Sequence, residues 1–144
     1  MKQTIPGLLL LLAIMLVPSS AFANNDTNTE TDASAAMPDY TYYTLAPDIT
    51  TNYVTQGKRL GYLRLQVDLM LLDPSMSKLV EHHAPLIRDA IITVIGQQPE
   101  ARVQSLAGRE EIRQACLAKV NELLIAETNQ KLVTELLFTK YLFQ

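Results

Sequence analysis

Leu63, Leu65, Val67, Leu69 and Leu71 alternate with Tyr62, Arg64, Gln66, Asp68 and Met70, a period of two sustained over ten residues. That period predicts a long strand with one face in a core and the other largely polar, as in a sheet covered on one side. Upstream, residues 40–45 are rich in Tyr and Thr and predict a short strand ended by Ala46-Pro47-Asp48. Residues 49–54 predict a second short strand, followed by the turn-forming Thr55-Gln56-Gly57-Lys58.

Beyond the long strand the period changes. Asp73-Pro74-Ser75 ends the strand and opens a helix, with Asp73 or Ser75 as its N-cap. Leu79/Val80, His83, Leu86/Ile87, Ala90/Ile91 and Val94/Ile95 then recur at helical spacing until Gly96-Gln97-Gln98-Pro99 terminates the run. Pro85 lies inside it and removes one backbone donor. Either the helix kinks there, or its regular part begins near Pro85 after a looser turn. Residues 99–106 predict a short helical turn. Gly108 then precedes a second long amphipathic helix carrying Ile112, Ala115/Cys116, Lys119/Val120 and Leu123/Leu124, closed by Thr128-Asn129-Gln130.

A last strand follows. Period-two spacing puts Leu132, Leu136, Phe138 and Leu142 on one face and Val133, Leu137, Tyr141 and Phe143 on the other. Two apolar faces imply a central strand covered on both sides, or a strand covered by the fold and by a neighbouring subunit. The expected architecture is α+β, a single domain with a small sheet packed against two long amphipathic helices.

The first 23 residues read as a targeting segment. Lys2 supplies a positive start, residues 7–17 are an unbroken apolar core, Pro18-Ser19-Ser20 breaks it, and Ala21-Phe22-Ala23 matches a signal-peptidase site. Eleven helical residues span roughly 16 Å, about half of a hydrocarbon core, so cleavage between Ala23 and Asn24 is preferred over a retained short anchor at the inner membrane. Residues 24–39 carry Asn, Asp, Thr, Glu, Ser and Ala, one large apolar residue (Met37) and no basic one. Such a stretch buries too little surface to offset its ordering entropy and reads as a flexible acidic tether. Residues 40–144 form the folded domain.

Charge and cysteine usage narrow the function. Without Lys2 there are 11 basic against 15 acidic side chains. The chain has no basic stripe, which argues against nucleic acid and against electrostatic adhesion to anionic lipid. The lone Cys116 forbids an internal disulfide, so stability must come from a core.

The survey for chemistry finds little. His82 and His83 are adjacent, so on a helix they point about 100° apart and cannot grip one metal as an i, i+4 pair would. Cys116 falls on an apolar helix face and reads as a small hydrophobe. Glu110, Glu111 and Arg113 suit a helix start and a surface ion pair. Arg88 and Asp89 interrupt an apolar helix and read as a packing junction, through either an intradomain salt bridge or an intersubunit contact. No phosphate loop, Ser/His/Asp set or zinc spacing appears, and nothing calls for a cofactor. The chain reads as a non-enzymatic protein that presents surfaces. A soluble periplasmic adaptor of another envelope complex is the alternative, and a small hydrolase using His82 or His83 with Glu81 a more distant one.

Four motifs, in order, resemble the FliL family of flagellar basal body–associated proteins. They are Tyr43-x-Leu45-x-Pro47-x-Ile49 with Asn52 and the alternating residues 60–67; residues 85–92 (Pro-Leu-Ile-Arg-Asp-Ala-Ile-Ile); residues 108–113 with Val120-Asn121; and the closing residues 137–144. The resemblance implies a periplasmic, stomatin-like (SPFH-like) α+β domain. It further implies assembly into a homo-oligomeric ring at the flagellar stator, where the family supports torque, motility and swarming, with stator proteins and basal body as partners. It implies no catalytic site. On that reading Arg88, Asp89, Tyr141 and Phe143 are candidate interface residues. Family members usually carry a basic cytoplasmic tail and a full transmembrane helix, from which the signal-like start departs.

Mass analysis of the protein purified from the envelope should find a mature chain beginning at Asn24; a species beginning at Met1 would show the segment to be retained.

Overall fold

The structure, a computed structural model, describes residues 39–144 with the exception of Lys58. The targeting segment with its Ala23/Asn24 cleavage point, and the tether up to residue 38, lie outside the described residues. The elements run β1 (Thr41–Thr44), β2 (Ile49–Tyr53), β3 (Gly61–Leu71), a 3-10 turn (Pro74–Met76), α1 (Ser77–His82), α2 (Ala84–Gly96), α3 (Glu100–Gln104), α4 (Leu106–Thr128) and β4 (Val133–Phe143). The fold is α+β with a small antiparallel sheet, as the pattern predicts.

β3 is the hub. All three other strands pair with it, antiparallel. β4 follows it from Leu63 to Leu71 and so takes one whole edge. β2, opposite residues 61–65, and β1, opposite residues 68–71, therefore share the other edge end to end. Leu63, Leu65, Val67, Leu69 and Leu71 are all fully buried, and α2 and α4 pack against that face. Each such side chain contributes roughly 1.5–3 kcal/mol relative to an exposed one.

The helices resolve what the sequence left open. Asp73 is the N-cap, its carboxylate accepting from the Ser75 amide at 2.7 Å. At Pro85 the helix restarts instead of kinking: α1 ends at His82, His83 leaves helical geometry (φ −92°, ψ 7°), and α2 begins at Ala84 with Pro85 in its first turn. A proline there removes a donor that has no partner within the helix. The second long helix starts at Leu106, two residues before Gly108 instead of just after it. Ser105 caps it by accepting from the Gly108 amide at 3.0 Å. Gly108 is needed because α3 ends against it: a Cβ there would lie 2.1 Å from the Arg102 carbonyl oxygen. Asn129 closes α4 in the left-handed conformation at φ 56°.

β4 departs from the strict alternation. Its register against β3 shifts twice, between Gln66 and Val67 and between Met70 and Leu71. Each shift inserts one residue, near Thr139 and Thr134, and resets which side chains face inward. The inward set is Val133, Leu136, Phe138, Tyr141 and Phe143, opposite Leu71, Leu69, Val67, Leu65 and Leu63. The two faces read from unbroken spacing are thus partly one face interrupted by two bulges. Among the described residues β4 pairs only with β3, so it is an edge strand and not a central one.

Replacing Leu65 by Asp would bury an unpaired carboxylate between Ile49 and Tyr141 and should lower unfolding free energy by about 3–5 kcal/mol in urea titrations. Gln66→Thr on the opposite face should change it by less than about 0.5 kcal/mol. Wild-type melting of Leu65→Asp would refute the role given to β3.

Candidate interaction surface

The short connection between β1 and β2 organises the surface. It contains the cis Ala46–Pro47 bond, and Asp48 follows at the mouth of β2. Asp48 Oδ2 accepts from Arg64 Nε on β3 at 2.9 Å and from Lys140 Nζ on β4 at 2.8 Å. The hydrogen bond from Lys140, followed by that from Arg64, holds the Asp48 carboxyl below the usual carboxylate range against the opposing effect of its desolvation. One carboxylate therefore bridges three strands. From the helix layer, Arg88 donates to the carbonyls of Pro47 (2.6 Å) and Asp48 (3.4 Å), pinning the same loop from below.

These contacts place the candidate residues. Arg88 is half-buried and spends its guanidinium on the main chain of its own domain, while Asp89 is exposed. Tyr141 is half-buried on the inner face, its hydroxyl donating to the Val103 carbonyl at 3.0 Å and Arg109 lying 5.0 Å over its ring. Burial pushes its phenol up to about 12, with Arg109 acting in the opposite sense. Phe143 packs edge-on to Tyr141 at 6.4 Å and is 44% exposed at the open end of the strand. The structure thus brings Tyr141 and Phe143 together. It connects Arg88 to β4 only through the Asp48 loop.

The outer face of the sheet is a further candidate surface. α2 and α4 pack on the inner face, and among the described residues the outer one carries Tyr42, Tyr62 and Leu142, exposed at 59%, 46% and 58%. Asp68 lies between Thr44 and Leu137 on this face, and its Oδ1 is shielded from solvent without a hydrogen-bond partner. A shielded carboxylate oxygen is stabilised by any donor brought to it. Asp48, Lys140 and Asp68 had no distinguishing signal in the sequence beyond turn propensity and strand parity, because their roles depend on which strands lie side by side.

Several chemistry-bearing side chains are engaged in packing or pairing. Cys116 is fully buried, and burial pushes its thiol up to about 12. His82 and His83 stack edge-to-face at 5.0 Å, with Glu81 and His82 both exposed. Arg113 donates to Glu110 (2.5 Å), to Glu135 and to the Leu136 carbonyl (2.9 Å), while Arg109 donates to the Phe138 carbonyl (2.9 Å). Those bonds hold the Glu110 carboxyl down to about 2, Arg113 contributing most and Gln114 next. Two arginines of α4 thereby occupy carbonyls on the outer edge of β4, which discourages pairing of another strand there.

Comparison with known proteins bears on this geometry directly. A family model described as Flagellar basal body-associated protein FliL matches residues 42–144, nearly the whole described region. The chain belongs to the FliL family. A relative named Flagellar protein FliL, from Aquifex aeolicus (strain VF5), is 26% identical over 102 residues, covering 71% of this chain. The chain spans about 60% of that relative's length. The FliL match begins in β1 and runs through β4, so it takes in the Asp48 bridge, the outer face and both helices. Among the described residues no helix is long and apolar enough to cross a membrane.

Native protein at pH 8 should react with a thiol reagent at Cys116 at least about 100-fold more slowly than the urea-unfolded chain; comparable rates would mean the thiol is accessible and available for chemistry.

Proposed function

We propose that this domain is a non-enzymatic scaffold of the flagellar basal body. In this reading it is exported to the periplasm and held at the inner membrane by its N-terminal segment. It assembles as a stomatin-like homo-oligomeric ring beside the stator and supports motor torque, motility and swarming. The observation that carries the proposal is the family match across essentially the entire folded unit.

The physical chemistry of the domain supports it. A scaffold needs a rigid body with outward-facing apolar and hydrogen-bonding groups. Asp48, Arg64 and Lys140 stiffen the sheet, while Tyr42, Tyr62 and Leu142 remain available on its outer face. Aromatic side chains of this kind provide large contact area at small entropic loss on binding. Phe143 and Asp89, both exposed, extend the candidate contact area to the strand end and the helix layer.

Deleting the gene should reduce swimming and swarming in soft agar, with plasmid-borne wild type restoring both. A variant carrying Tyr42→Ser, Tyr62→Ser and Leu142→Ser should restore motility poorly while folding normally by circular dichroism. Undiminished motility of the deletion strain would count against a role in the motor.

A further inference from the structure

The open edge of β2 and the flank of α2 form a groove of about 670 Å³, a volume within the usual range of ligand clefts. Among its lining residues are Thr50, Asn52, Val54, Arg59, Ile92 and Gly96. We propose that this groove binds an extended acidic peptide of a partner protein, which adds to β2 as a further strand.

The main chain carries the argument. Among the described residues β2 pairs with a strand through one edge only, that facing β3. Just past its end, the Val54 amide donates to the Gln98 carbonyl at 3.0 Å, and the Val54 carbonyl accepts from the Glu100 amide at 2.8 Å. That is a parallel bridge of strand type, made on the side of the strand away from β3. Backbone groups of alternate residues point to the same edge of a strand. Asn52 and Thr50 therefore aim their N–H and C=O groups the way Val54 does. The chain fills this edge at one residue and then stops, because upstream of Gln97 it is helical to Gly96. At the other end, Arg88 occupies the carbonyls of Pro47 and Asp48. Between these stops lie the five residues of β2, roughly 16 Å of open edge at about 3.3 Å per residue.

The walls specify the occupant. A ladder of donors and acceptors at strand spacing is the complement of another extended backbone, and a helix alongside gives side chains a place to pack. Ile92 is 38% exposed and Val54 53%, providing apolar contact on the helix side and at the strand end. A Cβ added at Gly96 would meet no atom within 4 Å, so space is open there for an incoming side chain. Arg59 is exposed in the β2–β3 loop, which the Thr55 hydroxyl closes by donating to the Arg59 carbonyl at 2.5 Å. Its guanidinium makes no ion pair among the described residues. A cation at the groove's end selects an acidic residue at the matching end of the peptide. The β4 edge offers no equivalent, since Arg109 and Arg113 already occupy its carbonyls.

The test uses the full-length mature chain and a blocked peptide of alternating Val and Thr ending in Asp-Asp, with the same peptide ending in Lys-Lys as control. Amide spectra recorded during titration to millimolar peptide should show saturable shifts at Thr50, Asn52 and Arg59 for the acidic peptide, and binding at least tenfold weaker for the basic one. Gly96→Leu, whose Cβ would meet no atom within 4 Å and whose longer branch would extend into the groove, should melt close to wild type and weaken binding at least tenfold. Arg59→Glu should reverse the preference between the two peptides. Absence of saturable shifts, shifts centred on another surface, or unchanged affinity in Gly96→Leu would each overturn the proposal. So would concentration-dependent self-association that Gly96→Leu abolishes, because the edge would then be filled by a second copy.

Discussion

The inward row of β3 is the constraint on which the remaining structure depends. Five apolar side chains, each fully buried, face α2 and α4, and the same eleven residues supply the pairing edge for every other strand. A one-residue slip would turn that whole row to solvent and expose Arg64, Gln66 and Asp68 to the core, at a loss of several kcal/mol per position. The register of β1, β2 and β4 is therefore set by β3. With it are set the positions of Asp48, Lys140 and the outer-face aromatics.

The long helix α4 is fitted to this sheet by short-range contacts at both ends. Ser105 starts it, and Gly108 lets α3 end against its first turn, since any side chain there would collide with the Arg102 carbonyl. Asn129 turns the chain back towards the sheet in a conformation that few residues other than Gly and Asn adopt readily. In between, Arg109 and Arg113 reach over to β4 and take the carbonyls of Phe138 and Leu136. One face of α4 thus completes the core, and its arginines protect the strand edge next to it. Among the described residues, none gives the five residues of β2 such protection. β2 is therefore left, among the described residues, as an open stretch of sheet edge.

The buried thiol, the exposed histidine beside its half-buried neighbour and the arginine-bound carboxylates are each accounted for by packing or pairing. On the outer sheet face Asp48 pairs with Arg64 of β3 and Lys140 of β4, beside exposed aromatic groups. The chain's membership of the FliL family, flagellar basal body-associated proteins, gives these surfaces a context.

Local physics was legible in the sequence. The alternation of residues 62–71 marked β3, Asp73-Pro74-Ser75 marked a capped helix start, and Asn129 marked a helix end, because each depends on near neighbours in the chain. The ordered motifs located the family for the same reason. The candidate surface was legible only in part: Arg88 stood out as a charge within an apolar helix, but its target, the Pro47–Asp48 main chain some forty residues away, did not. The phase of β4 was misread because two bulges, at Thr134 and Thr139, break a period that the sequence alone suggests is continuous. Its edge position and the bridge from Asp48 to Lys140, 92 residues apart, follow only once β3 lies between its partners. The sequence determined which segments are strands and helices and which side of β3 is apolar, since those follow from spacing. Tertiary structure decided which side chains of β4 face inward and which edge is left open, since those depend on register between distant strands.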